Sequence, residues 1–225
     1  MDTLLFATNN KNKAKEVEES FKKINFPIKV ITNQDLDNPP HVLETGTTFL
    51  ANAKLKAHEM ADFSHLPTLA DDSGLCVDKL NGAPGVHSAR YGGEAHNDAR
   101  NNANLLVELG GVPKDKRTAT FHSTMVVSWP RHFDQDLVTE GEIKGEILTS
   151  PRGEGTFGYD PLFFVPDKGK TFAEMTVDEK NAISHRGQAL RMLLAELPAW
   201  WKKMEAEKEK GNAQAFPFYL TKCNF

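Results

Sequence analysis

The sequence predicts an α/β fold in which a parallel opening unit adjoins a β-rich lobe. Three observations carry that reading. The chain opens strand–helix–strand: an apolar run over residues 3–7, then Ala14, Val17, Phe21 and Ile24 at helical spacing, then a second run over 28–31. Residues 117–129 and 136–148 are rich in Thr, Val, Ile and Phe, the mark of two long antiparallel strands. Residues 178–197 place Ile183, Leu190, Leu193, Leu194 and Leu197 on one stripe of a helix.

The other elements follow in order. Pro27 stops the first helix, and Asp37-Asn38-Pro39-Pro40 punctuates a loop over 35–41. A second helix runs from Thr47, with Phe49, Leu50, Ala53, Ala57 and Met60 on one face. A short strand over 67–70 leads into Asp71-Asp72-Ser73-Gly74, residues 75–77 stay extended, and Asn81-Gly82 signals a turn. Residues 97–109 read as a helix ended by Gly110-Gly111. Residues 157–165 read as an aromatic strand bounded by Gly158 and Pro166. A charge-rich stretch at 202–212 and an aromatic tail at 216–225 follow, with no internal repeat and no linker.

At roughly 150 residues per domain, 225 residues suit one large domain or one domain with a small lobe. That length buries a core without disulfides or a structural metal. With 27 Lys and Arg against 31 Asp and Glu the net charge is −4, which argues against a nucleic-acid polymer or an anionic membrane as partner. A local basic pocket for a small anion remains compatible with it. Cys76 and Cys223 lie far apart and form no C-x-x-C, so a reducing cytoplasm is the expected setting. The N-terminus lacks the basic segment of a signal peptide, and no run approaches 18 apolar residues, so no membrane span is expected.

Four polar clusters carry chemistry. Thr8-Asn9-Asn10-Lys11-Asn12-Lys13 joins a strand to a helix, where free backbone N–H groups and the helix dipole face any bound anion. Lys13 adds a point charge, and phosphate is the natural guest. No glycine precedes the lysine, so this is not a Walker loop, and the same residues also suit a polar loop with helix-capping asparagines. Asp71 and Asp72, with Glu44, make an oxygen-rich set of the kind that holds Mg²⁺ with waters and substrate phosphates. One carboxylate there can accept a proton from water; an acidic turn ending a strand is the plainer alternative. Asp72-Ser73-Gly74 also matches the aspartic-protease triplet, but that chemistry needs two such carboxylates and only one triplet occurs. Phe157-Gly158-Tyr159-Asp160 ends a strand with aromatic rings that can stack on a base or fill a core. Lys180, His185 and Arg186 open a helix with donors for phosphate and a carbonyl oxygen, or form an ordinary solvated face. His87, His96, His122 and His132 lack ligand-like spacing and read as structural or surface residues.

Taken together the motifs are specific. Thr8-x-Asn10-x-x-Lys13, Glu44-Thr45-Gly46-x-x-Phe49-x-x-Asn52-Ala53, Ala70-Asp71-Asp72-Ser73-Gly74-Leu75 and Gly82-Ala83-Pro84-Gly85-Val86-x-Ser88-Ala89-Arg90-Tyr91 occur in order. Phe157-Gly158-Tyr159-Asp160-Pro161 and Glu179-Lys180-Asn181-x-Ile183-Ser184-His185-Arg186 follow. This closely resembles the inosine triphosphate pyrophosphatase family, or XTP/dITP diphosphatases, over roughly residues 3–197.

The resemblance implies an elongated mixed sheet with flanking helices and a second β-rich lobe, with the active site in the cleft between lobes. It implies Mg²⁺-dependent hydrolysis of ITP, dITP and XTP to monophosphate and pyrophosphate, by a homodimer. Carried over by position, Thr8, Asn9, Asn10, Lys11, Asn12 and Lys13 grip the triphosphate, and Glu44 and Asp72 hold Mg²⁺. Asp72 is also the implied base for the attacking water, with Asp71 as the other candidate, and Ser73 contacts substrate. Phe157, Gly158, Tyr159 and Asp160 line the base pocket, with Phe157 stacking. Lys180 contacts the nucleotide, and His185 with Arg186 reads the base. Two departures stand out: Thr156 replaces a glycine common in the family, and residues 198–225 run beyond its usual end as an extension without an assigned role.

Overall fold

Strand β3 (Thr68–Val77) is buried almost continuously, the pattern of a strand covered on both faces. It is the spine of the protein, whose computed structural model describes residues 2–24, 26–93, 97–155 and 157–214. Around it lie β1 (Asp2–Phe6), β2 (Ile28–Thr32), β4 (Thr118–Ser128), β5 (Leu137–Ile147), β6 (Phe163–Val165) and β7 (Lys170–Thr171). They form one mixed sheet in the order β2-β1-β3-β4-β5-β6-β7. β1 pairs in parallel with β2 and β3, and the remaining neighbours are antiparallel. The β-rich lobe is therefore the antiparallel end of the same sheet.

Helices α1 (Lys11–Lys23) and α5 (His185–Gln214) cover one face. There Leu4, Phe6, Leu69, Met125 and Val127 pack on Val17, Phe21, Leu190, Leu193 and Leu197. Helix α2 (Phe49–Ser64), capped by Thr48, covers the other face with Ala53, Ala57 and Met60 against Leu5, Ala70 and Val126. A third cluster around Phe121, Phe163 and Phe172 fills the far end beneath α3 (Asp98–Glu108). No helix among the described residues is long and apolar enough to cross a membrane.

The structure departs from the sequence reading at four places. The short strand at 67–70 and the extended residues 75–77 are one strand, because the acidic residues between them also pair with β4, Asp71 with Met125 and Asp72 with Thr124. The aromatic strand at 157–165 shrinks to Phe163–Val165. Gly158 has φ 54°, and turn bonds from Asp160 N to Phe157 O and from Leu162 N to Tyr159 O curl the preceding residues. The helix expected at 178–197 is two helices, α4 (Val177–Ile183) and α5, hinged at extended Ser184. Ser184 Oγ accepts from Gly187 N at 3.1 Å and so starts the second helix. Any Cβ at Gly187 would strike the Asn181 carbonyl, so glycine permits the close approach.

Helix α5 then runs past Leu197 through Pro198 to Gln214. Pro198 forfeits one helical bond, but Trp201 and Met204 beyond it are buried in the core. Trp201 sits edge-on to Trp129 at 5.2 Å and to Phe26 at 6.1 Å, and Trp200 Nε1 donates to Gln135 O at 2.7 Å. His96, Thr156 and the aromatic tail at 216–225 with Cys223 lie outside the described residues.

One feature of pairing positions the candidate site residues. β1 meets β3 only at Leu5 with Thr68 and Phe6 with Leu69. At the other end, a bridge from Cys76 to Pro84 and a bond from Leu75 N to Ser88 Oγ (2.9 Å) close the same edge. Between them, among the described residues, no strand flanks β3 on that side, and Asp71-Asp72-Ser73-Gly74 occupies the gap.

Candidate active site

Adjacent residues in a strand point to opposite faces. Asp71 therefore faces α1 and α5, while Asp72 faces α2, and each gathers its own partners beside the open edge of β3.

On the first face, Lys13 Nζ donates to Asp71 Oδ2 at 2.7 Å, and Arg186 Nε lies 3.9 Å from the same oxygen. Lys13 is placed there by the loop after β1: Thr8 Oγ1 accepts from Asn10 N (3.1 Å), and Asn10 Oδ1 accepts from Lys13 N (3.2 Å). Asn10 thus caps α1, and Thr8 braces the cap. Asn9 is exposed. Lys11 and Asn12 form the first turn of α1, and their side chains are outside the described set. Burial alone would raise the Asp71 carboxyl, but Lys13, Arg186 and Lys56 outweigh it and hold it well below the usual carboxylate range. Burial, reinforced by Arg186, lowers Lys13 despite Asp71.

On the second face, Asn52 is fully buried. Its Nδ2 donates to Asp72 Oδ2 at 3.1 Å, while its Oδ1 accepts from Gly46 N at 2.7 Å. One side chain so ties Asp72 to the loop bearing Glu44. A Cβ at Gly46 would lie 2.7 Å from both Ala51 Cβ and Asn52 Oδ1, so that loop can close only through glycine. One helical turn on, Lys56 Nζ donates to Glu44 Oε1 at 2.6 Å and lies 3.9 Å from Asp72 Oδ1. Arg90 lies 3.9 Å from the other Glu44 oxygen. Burial pushes Asp72 up to about 6; Lys56 opposes that shift and Glu44 adds to it. Lys56 is itself raised, since Asp71, Asp72 and Glu44 together overcome its burial.

Among the described residues no three His, Cys, Asp or Glu side chains form a metal cage. Glu44 and Asp72 are instead two hard oxygen donors converging on one cationic group. That donor set fits Mg²⁺, which takes one or two carboxylates and completes its shell with water and phosphate.

The remaining candidates line the antiparallel end. His185 stacks on Phe121 (4.7 Å, 7°), and its Nδ1 is buried without a hydrogen-bond partner; Arg186 Nε likewise makes no hydrogen bond, only its ion-pair contact with Asp71. Burial, then Arg186, Lys180 and Lys13, hold His185 well below 6.5, so its ring is neutral. Lys180 bonds Asp160 and sits 5.3 Å from the ring centres of both Phe157 and Phe172. Burial raises Asp160 against the pull of Lys180. Phe157 is 43% exposed. Tyr159 turns inward, its hydroxyl donating to Ser88 O at 2.8 Å. Ser73 Oγ donates to Ser123 Oγ at 2.9 Å across β3 and β4.

The sequence reading gave no role to Asn52 or Lys56. Their signal was present: residues four apart on the helix that follows Glu44 share one face, and that face looks onto Asp72.

Comparison with known proteins identifies the family and the fold. A model of the Ham1 family matches residues 4–196. The dITP/XTP pyrophosphatase of Lactobacillus johnsonii is 86% identical over 207 residues, covering 92% of this chain and 100% of its own. That of Lactobacillus acidophilus is 65% identical over 196 residues, 87% of this chain and 97% of its own. The solved HAM1 protein of Coxiella burnetii superposes with a TM-score of 0.83 at 40% identity, covering 88% of this chain and 100% of that one. The Staphylococcus aureus Ham1 protein gives 0.79 at 38% identity, covering 88% and 99%. The chain belongs to the Ham1 family.

Proposed function

We propose that this protein is a Mg²⁺-dependent pyrophosphatase that hydrolyses deaminated purine nucleoside triphosphates (ITP, dITP and XTP) to the monophosphate and pyrophosphate. The observation that carries the reading is the open edge of β3, where Lys13 and Arg186 approach from one face and Glu44, Lys56 and Asp72 from the other. The names of the relatives support the substrate class.

In this reading a water oxygen bonds to the α-phosphorus, and the bond from that phosphorus to the bridging oxygen breaks. Pyrophosphate leaves with the electron pair. Asp72 takes the water proton; Asp71 is unsuited because Lys13 already holds its Oδ2. Lys13, Lys56 and the Thr8–Lys13 loop hold the phosphates, so positioning and preset charge supply most of the rate. Mg²⁺ held by Glu44 and Asp72 would add positive charge against the phosphate oxygens.

Base choice follows from hydrogen-bond polarity. Hypoxanthine and xanthine present O6 as acceptor and N1–H as donor, whereas adenine presents an amino donor. Neutral His185 has one N–H and one lone pair, and Arg186 only donors. Facing adenine the donors of Arg186 are left unpaired, a penalty that can reach on the order of 10⁴-fold. Phe157 offers a ring for stacking, with Lys180 and Asp160 beside it. A homodimer in the cytoplasm is the expected setting, the latter from the sparse cysteines.

The test is incubation with Mg²⁺ and ITP, XTP, ATP, GTP or dTTP, with products resolved. Monophosphate and pyrophosphate from ITP and XTP are expected. Orthophosphate in place of pyrophosphate sinks attack at the α-phosphorus, and equal rates on ATP and ITP sink base reading by His185 and Arg186.

A further inference from the structure

Gly158 follows Phe157 with φ 54°, a conformation glycine adopts without strain. Both of its backbone groups are held by side chains of one helix. Gly158 N donates to Asp98 Oδ2 at 2.7 Å, and Gly158 O accepts from Asn102 Nδ2 at 2.7 Å. Asp98 and Asn102 are four apart, one turn, in the first half of α3. Asn102 Nδ2 also donates to Asp98 O at 2.8 Å, which locks the pair together.

The clamp acts on a segment whose neighbours are also fixed. Tyr159 is anchored by its hydroxyl on Ser88 O, and Asp160 by Lys180. Phe157 itself is 43% exposed, with Lys180 Nζ 5.3 Å from its ring centre. An exposed aromatic on immobilised backbone is a preset surface: its ordering cost is met before a ligand arrives. The two side chains act on Gly158, beside Phe157, whereas Lys13 is held by Asp71, Lys56 by Glu44 and Asp72 by Asn52.

We propose that Asp98 and Asn102 are positioning residues that hold the Phe157 ring for the nucleobase and so set affinity for the base separately from affinity for the phosphates. The proposal rests on the pyrophosphatase reading above and deepens it.

The test uses the full chain. Asp98→Ala and Asn102→Ala are each expected to raise KM for ITP about tenfold, the order of a weakened base–ring stack. Turnover number is expected to stay within about twofold, because the loss is one of binding alone. IMP affinity falls with KM, while pyrophosphate affinity stays at the wild-type value. Asp98→Asn keeps an oxygen acceptor for Gly158 N and restores wild-type KM. In a Phe157→Ala background, Asn102→Ala adds no further loss, since it acts through the missing ring.

Additive losses in that cycle, parallel loss of IMP and pyrophosphate affinity, or Asp98→Asn behaving like Asp98→Ala would each overturn the proposal. A readout independent of substrate is hydrogen exchange at the Gly158 amide, faster in Asp98→Ala and normal in Asp98→Asn. Unchanged exchange in Asp98→Ala overturns the clamp. Failure of the activity reading shows separately, as wild-type protein that releases no pyrophosphate from ITP.

Discussion

Asp71 and Asp72 are consecutive in β3 yet serve opposite faces of the sheet: Asp71 is bonded to Lys13 at 2.7 Å, and Asp72 to Asn52 at 3.1 Å. The surroundings split their chemistry. Paired cations hold Asp71 ionised, while burial raises Asp72 to about 6 in the metal-free chain.

Replacing each in turn therefore gives different outcomes. Asp72→Asn is expected to lower pyrophosphate release by about 10²–10⁴-fold, the usual worth of a positioned base, with the melting curve little changed. Asp71→Asn leaves Lys13 and Arg186 without their counter-charge, and its loss should fall on substrate affinity and stability as well as turnover. Near-normal turnover in Asp72→Asn would remove it from the proposed chemistry.

Lys56 stands between Glu44 and Asp72. Lys56→Met leaves two carboxylates facing each other in a partly buried site, where like charges repel. Activity at saturating Mg²⁺ is expected to drop, while chelation with excess EDTA is expected to abolish it in wild type. Full activity in EDTA would refute the metal requirement. Steady-state rates across a Mg²⁺ titration read both effects.

His185 gives a pH prediction. Its folded pKa is well below 6.5 because burial and three cations oppose its charge. Below 6.5 the unfolded chain takes up a proton that the folded chain does not, so the unfolded state binds more protons and stability rises with pH. The cost is absent above 6.5 and grows as pH falls toward the folded value. His185→Gln lacks it, so its melting temperature should fall less steeply than wild type between pH 7 and 5. Parallel pH profiles would contradict the burial of a neutral ring.

The segment after Leu197 is expected to matter for stability. Trp201 is 4% exposed and packs on Trp129 and Phe26. Trp201→Ala should cost about 3–5 kcal/mol, as for other buried large-to-small changes, read as a lowered urea midpoint at unchanged slope. A shift near zero would mean that α5 beyond Pro198 is dispensable.

The sequence by itself determined much of this. Period-3.6 stripes located α1 and α2, the Gly110-Gly111 stop located the end of α3, and the β-branched stretches located β4 and β5, because each is a local signal. The strand-to-helix loop ending at Lys13 and the acidic pair after Ala70 were also legible, since each is contiguous. The tertiary structure decided what lies across the chain. Only folding brings Lys56 and Asn52 onto Asp72, or Arg186 beside Lys13 and Asp71, which are far apart in sequence. The break at Ser184 rests on the close approach at Gly187, and the continuation of α5 through Pro198 rests on Trp201 and Met204 reaching the core. At the site and beyond Pro198, burial and packing against distant residues outweighed local propensity, and that energy is invisible until the partners meet; the break at Ser184 is a short-range cap and close approach that periodicity does not register.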